Sequence, residues 1–352
     1  MSDEINIFLT GATGYVGGAV LERLLKHPDC SRFRITAIVR STEKADKLRK
    51  LGINVVVGSH SDADIVIENA AKADVVFTAA DCDDMGAAQA ILDGLKKRFE
   101  NTGKQPILIH TVQQFSLCRC HKPYRCEVGT LTDRALGAFT YDKIYDDTDA
   151  DQIETLPDTA DHRNVDLLLV KADKDGYVKT YIILPSTIYG IATGHLVSLG
   201  IQNPHSKQVP RLIQLGKARG QAGVCGEGKN TWPHVHIDDI ADLYITLYDA
   251  IVASSPAPGH GREGYYFGEN GHYLAYDLAK AVAVELAARG VGSSTPTSFT
   301  EEEFSKNPRL GYFGTNSRCK ASRGRALGWM PKYGDEDFYA SIRAEVDVQF
   351  KD

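Results

Sequence analysis

The stretch INIFLTGATGYVGGAVLERLL, residues 5–25, constrains this chain more than any other. A short apolar run, 5–10, breaks into a glycine-rich turn. Beyond it Val16, Val20, Leu21, Leu24 and Leu25 recur at helical spacing. A strand that turns through glycines into a helix leaves the first helical N–H groups free, and the helix dipole makes that end attractive to an anion. Each glycine has its own role in this setting. Gly11 permits the tight turn, Gly14 clears the path of a diphosphate to the backbone, and Gly17 lets the helix lie close to the sheet. Gly11, Thr13, Gly14, Tyr15, Val16 and Gly17 are therefore the expected dinucleotide-binding loop.

The same alternation continues. Strand-like runs at 34–39, 53–58, 74–80 and 106–112 are separated by helical patterns at 42–52, 62–72 and 85–99, and another strand follows at 178–190. Short β-branched strands alternating with helices predict an α/β Rossmann-type domain, a doubly wound parallel sheet covered on both faces. The end of the second strand reports on the dinucleotide. An acidic residue there accepts ribose hydroxyls, whereas an arginine pairs with a 2′-phosphate. Arg40, in IVRST, favours NADP(H), with NAD(H) as the other possibility.

Composition narrows the partners. A net charge of -6 argues against nucleic acid, because phosphate binding needs a basic surface. No apolar run approaches the ~18 residues that cross a bilayer, and the N-terminus enters a strand at once. Seven cysteines, an odd number over a long chain, read as reduced thiols of a cytoplasmic protein. The expected partner is a small-molecule substrate, with a homodimer as a possible assembly.

The segments TGATGYVGG, ADVVFTAA, LPSTIYG, HVHIDDIADLY and SRGRALGWMP together resemble the extended short-chain dehydrogenase/reductase superfamily, the NAD(P)-dependent epimerase/dehydratase group, over most of the chain. The resemblance implies a smaller, mostly C-terminal substrate-binding region beside the Rossmann-type domain. The expected division is residues 1–190 for the dinucleotide domain, with 234–253 packing back on it, and 191–233 with 254–352 for the substrate region. The resemblance also implies that Ala79 and Ala80 line the cofactor and that Pro185 and Thr187 lie near its nicotinamide end. The chain departs from the group after the third strand, where Gly58-Ser59-His60 replaces the usual Gly-Asp.

A second departure concerns catalysis. The group places Ser or Thr after the fifth strand and a Tyr-x-x-x-Lys pair on the next long helix; a lysine there lowers the phenol's pKa from about 10 toward the working pH. Thr111 stands at the first position. Counting back from Pro185, the pair would fall near Asp158 and His162 or Arg163, so it is missing. Tyr276 and Lys280 have the right spacing in AYDLAKAV but sit in the wrong part of the chain, on an expected substrate-domain helix. His162, which titrates near neutrality with Arg163 beside it, and Tyr141 in a loop rich in aspartate are the replacement acid candidates.

Residues 113–128, QQFSLCRCHKPYRCEV, interrupt the group's pattern. Cys118, Cys120, His121 and Cys126 lack the usual Cys-x-x-Cys zinc spacing, so no metal is expected. A lid, a surface excursion and retained intron sequence are the other readings. In PHVHIDD, Asp238 or Asp239 reads as a helix N-cap rather than a metal ligand. Trp232 reads as a pocket wall or a core aromatic, and 335–350 as a final amphipathic helix. The chain is thus expected to be an NADP(H)-binding oxidoreductase or epimerase/dehydratase-like protein acting on a small carbonyl or hydroxyl compound. The rival is a catalytically inactive sensor or scaffold that kept the cofactor loop.

Overall fold

The computed structural model describes residues 4–112, 133, 135–160, 162–254 and 257–351, so the cysteine-rich stretch 113–128 lies outside the described residues. Seven strands form the main sheet: β1 Ile5–Thr10, β2 Phe33–Val39, β3 Asn54–Val57, β4 Val75–Thr78, β5 Ile107–Thr111, β6 Lys179–Pro185 and β7 Tyr265–Gly268. Their order is β7-β6-β5-β4-β1-β2-β3, and every neighbouring pair runs parallel. The strands are apolar on both faces because helices cover both. The expected doubly wound α/β fold is what forms.

Helices α1 Tyr15–Leu25, α2 Thr42–Lys50, α3 Ala63–Ala70 and α4 Met85–Thr102 connect the first five strands. Helix α5, Arg163–Lys174, precedes β6 and packs beside α4. The strand order reverses between β1 and β4, the switch point where doubly wound sheets open a crevice at their carboxyl ends.

Helix α6, Gln208–Arg219, and helix α7, Ile237–Ala253, follow β6; α8, Ala275–Ala287, and α9, Asp335–Gln349, come later. Helix α7 packs on α1. Arg23 of α1 bonds Asp238 at 2.7 Å and Asp242 at 2.9 Å, and buried His27 meets Asp249 at 2.9 Å. A second, smaller core joins α6, α8 and α9 through Leu212, Ile213, Val282, Leu286, Phe338 and Ile342.

Three details differ from the sequence reading. The run 178–190 is two strands. Pro185 ends β6, the Ser186 amide bonds Gly268 O at 2.9 Å, and Thr187–Tyr189 crosses to a separate sheet beside Thr231–His236. The C-terminal region is also less separate than expected: β7 is an edge strand of the main sheet, and Cys319, Ala321 and Trp329 join the main core. Finally, the N-cap of α7 is His236, whose side chain accepts from the Asp238 amide at 3.2 Å. Asp239 instead accepts from the Lys332 and Tyr333 amides.

The Arg23 fork pins α7 to α1 at a partly exposed site, where ion pairs contribute little each. Arg23→Ala is expected to lower unfolding stability in urea by about 1 kcal/mol, through lost pairing and lost packing of its stem.

Candidate functional site

The crevice above the switch point is a cleft of about 590 Å³. Its floor is the glycine loop. Gly11 has φ +77°, and a Cβ there would stand 2.3 Å from Ala79 O, so a side chain fits neither the turn nor the space. At Gly17 a Cβ would stand 2.3 Å from Gly11 O, which is how α1 comes close to the loop. At Gly14 a Cβ would meet only Gly11 O, at 3.1 Å, so this position opens toward the cleft. Thr13, Gly14, Tyr15 and Val16 line the cleft, as do Ala79 and Ala80 at the end of β4; Gly17 stands behind them. The first N–H groups of α1 have no earlier turn to bond. This cradle of backbone donors with no side chain in the way fits a dinucleotide diphosphate.

At one end of the cleft stand Arg40 and Lys44, with Gly58, whose amide bonds Val39 O at 3.0 Å, and His60 beside them. Arg40 is exposed, and its neighbour Ser41 caps α2 by accepting from the Lys44 amide at 3.3 Å. Lys44 was not singled out from the sequence, although its place one turn into α2 brings it to the same end. At the other end are Pro185, Ser186 and Ile188 together with His205–Gln208. Residues 202–205 are laid over the glycine loop: the Asn203 amide bonds Thr13 O at 3.0 Å, and the Gln202 side chain bonds Tyr15 O at 3.0 Å.

Thr187 does not reach the cleft. It is buried in the smaller region with its hydroxyl 3.0 Å from the Tyr273 phenol, because the chain has crossed sheets after Pro185. Thr111 is buried at the end of β5 with its hydroxyl 2.6 Å from Tyr244 of α7, and burial pushes that phenol up. Thr111 lines a small void of about 20 Å³ with Thr78, Cys82 and His110, beside the cleft rather than in it. His110 bonds Thr78 at 2.6 Å, and burial pushes its imidazole down to about 4, so it is neutral near pH 7.

His162 is buried at the start of α5 in a left-handed conformation, φ +66°. Its Nδ1 pairs with the Asp83 carboxylate and lies 3.5 Å from Cys82 Sγ. Burial alone would lower its pKa; the Cys82 sulfur and the Asp83 carboxylate outweigh that and raise it. Arg163 beside it donates to the Tyr265 hydroxyl at 2.6 Å. Asp166 is wholly buried with no hydrogen-bond partner for its carboxylate among the described residues, and burial pushes it up to about 7. Cys82, Asp83 and Asp166 were not found from the sequence; the available signal was that His162 and Asp166 stand four apart, on one helix face. The sulfur, carboxylate and imidazole are close enough together to hold a metal ion.

Tyr141 is exposed and does not line the cleft; its carbonyl accepts from Arg318, so its loop lies along 316–320 instead of over the cofactor end. Tyr276 is exposed at the start of α8, and Lys280 donates to Ser294 O at 2.5 Å, so that pair is remote from the cleft. Trp232 is a core aromatic, bonded to Thr315 O at 2.6 Å and packed on Tyr312. No helix of the described residues is long and apolar enough to cross a membrane.

Comparison with known proteins agrees with this geometry. An NAD(P)H-binding family model matches residues 11–108. The oxidase ucsJ of Acremonium sp is 27% identical over 341 residues, covering 92% of each chain. An uncharacterized protein of Saccharomyces cerevisiae is 24% identical, covering 93% of this chain and 95% of its own. Among solved structures, the UDP-glucose 4-epimerase of Thermotoga maritima superposes with a TM-score of 0.62 at 13% identity, over 99% of this chain and 100% of that one. The dTDP-glucose 4,6-dehydratase of Streptomyces venezuelae, with NAD bound, gives 0.60 at 16% identity over 97% and 96%.

The ion pair beneath α5 makes a pH-dependent contribution. His162 is raised in the folded state, so its stabilisation is complete below the unfolded value of about 6.5 and is lost as pH climbs through the folded value. The difference in thermal midpoint between the unaltered chain and Asp83→Asn should be largest near pH 6 and shrink toward pH 9. A difference that grows with pH would contradict this protonation.

The chain thus carries an NAD(P)H-binding domain, and its fold is that of the NAD-dependent epimerases and dehydratases, in keeping with the resemblance read from the sequence.

Proposed function

We propose that this protein binds NADP(H) in the cleft and exchanges hydride with a small carbonyl or hydroxyl compound, as a reductase or an epimerase/dehydratase-like enzyme. The observation that carries the proposal is the cleft itself. It is lined by the backbone donors of the glycine loop, the cations Arg40 and Lys44, the residues Pro185, Ser186 and Ile188, and polar side chains from 203–208. When bound, the nicotinamide would supply the hydride. The protein would supply the rest: Gly14, Tyr15 and Val16 hold the diphosphate, Ala79 and Ala80 lie along the cofactor, and Arg40 with Lys44 meet a 2′-phosphate. The Acremonium relative, called an oxidase, fits redox chemistry of this class. The protein would work in the cytoplasm, where its thiols stay reduced.

The inactive sensor or scaffold remains a second reading, because two observations favour it. Thr111 spends its hydroxyl on Tyr244, and the acid candidate nearest the usual place, His162, is buried outside the cleft lining.

A fluorescence titration tests the cofactor assignment. NADPH should bind more tightly than NADH, and Arg40→Ala should weaken NADPH by about tenfold, the scale of one charge-assisted contact, while leaving NADH unchanged. Equal loss for both dinucleotides would remove the 2′-phosphate role. Substrate-dependent NADPH oxidation would then separate the enzyme from the sensor. Its loss in His162→Ala with NADPH affinity intact would name the acid, and its absence in the unaltered chain across a carbonyl panel would favour the sensor.

A further inference from the structure

Two polar side chains without hydrogen-bond partners, Glu345 and His205 Nδ1, approach each other where α9 backs onto the cleft, and Ser206, next in sequence, is a third. Glu345 is 1% exposed, and neither carboxylate oxygen has a hydrogen-bond partner among the described residues. His205 Nδ1, also buried and unpartnered, is 4.0 Å from Glu345 Oε2. The Ser206 hydroxyl beside it is buried without a partner as well. Buried polar groups are nearly always satisfied, and a buried carboxylate facing no cation is costly, so these orphans ask what completes them. His205 and Ser206 line the cleft, and their segment is held over the glycine loop through the Asn203–Thr13 bond.

The neighbours define the charge balance. Lys351 near His205 lowers its pKa, after burial itself. Lys207 lines the cleft next to it. Glu345 also bears on the Tyr15 phenol, as Asp238 does; that phenol lies against the Tyr189 and Gly190 carbonyls, while the Tyr15 backbone opens the helix at the diphosphate position. An ionised carboxylate 4.0 Å behind a residue of the cleft wall would repel an anion bound in the cleft unless a cation stood between them. His205 is the group placed to be that cation. Burial holds the Glu345 carboxyl up to about 7 and lowers His205, so near neutral pH the proton sits on the carboxyl in preference to the imidazole.

We propose that His205, backed by Glu345, is a proton-carrying clamp on the cofactor's diphosphate. The anion's arrival draws the proton onto the imidazole and leaves a line of phosphate, imidazolium and carboxylate, with Ser206 donating beside it. The proton leaves the Glu345 carboxyl and joins the His205 ring when Glu345 is protonated, and comes from solvent when it is not. This inference rests on the cofactor reading of the cleft given above.

The sign follows from linkage. Below pH 7 the proton only changes hands, so affinity is level. Above it each binding event takes up a proton, and affinity falls by up to about tenfold per pH unit. The test is calorimetric titration with NADH from pH 6 to 9, in two buffers of different ionisation enthalpy; NADH avoids the 2′-phosphate, which itself titrates near pH 6. The unaltered chain should take up close to one proton at pH 8 and almost none at pH 6. His205→Gln should bind more weakly, with a flat profile and no uptake. Glu345→Gln should still bind but take up a proton already at pH 6.5, a change that a merely structural role would not produce. A level affinity across the range in the unaltered chain, or an unchanged profile in His205→Gln, would overturn the clamp while leaving the cleft reading intact. No NADH or NADPH binding at any pH would overturn both.

Discussion

The contact between the glycine loop and the end of β4 is the constraint on which the rest of the structure depends. Gly11 and Gly17 stand so close to Ala79 and to each other that no Cβ fits at either. That closeness sets the height of α1 above the sheet. Helix α7 then docks on α1 through Arg23 and His27, and the later chain, returning through β7, closes the edge of the same sheet. The cleft is the space left between this loop and residues 203–208, which the Asn203 and Gln202 bonds hold in place. The site is thus a consequence of backbone packing more than of any one side chain.

Much of this was legible in the residues. The strand–turn–helix pattern at 5–25 placed the loop, the alternation that follows placed five parallel strands, and Arg40 marked one end of the cleft. These features are local: a period of two or of 3.6 and a glycine requirement are written into neighbouring residues. What was not legible is long-range. Nothing near Pro185 says that the next three residues change sheets and carry Thr187 to Tyr273. Nothing at 265–268 distinguishes an edge strand of the main sheet from one in a second domain. Nor does the sequence show that Cys82 and Asp83 meet His162 or that Glu345 meets His205, pairs separated by 80, 79 and about 140 positions.

The catalytic side shows the same division. The absence of Tyr-x-x-x-Lys before β6 was readable by counting, and the structure fills that region with buried His162, Arg163 and Asp166, with the half-buried Asp83 paired to His162. The left-handed backbone at His162 costs about 1 kcal/mol or more, so the surrounding contacts must hold it there. Such a set can orient a proton donor or simply brace the carboxyl ends of β4 and β5. The cofactor loop, by contrast, has one evident use.

Hydrogen exchange of the backbone amides, with and without NADPH, tests the central claim most directly, because it reports where the dinucleotide sits and not only whether it binds. The account predicts slowed exchange at residues 13–18, at 79–81 and over 203–208, with little change in α8. Protection confined to the C-terminal helices, or none in the glycine loop at saturating NADPH, would contradict it.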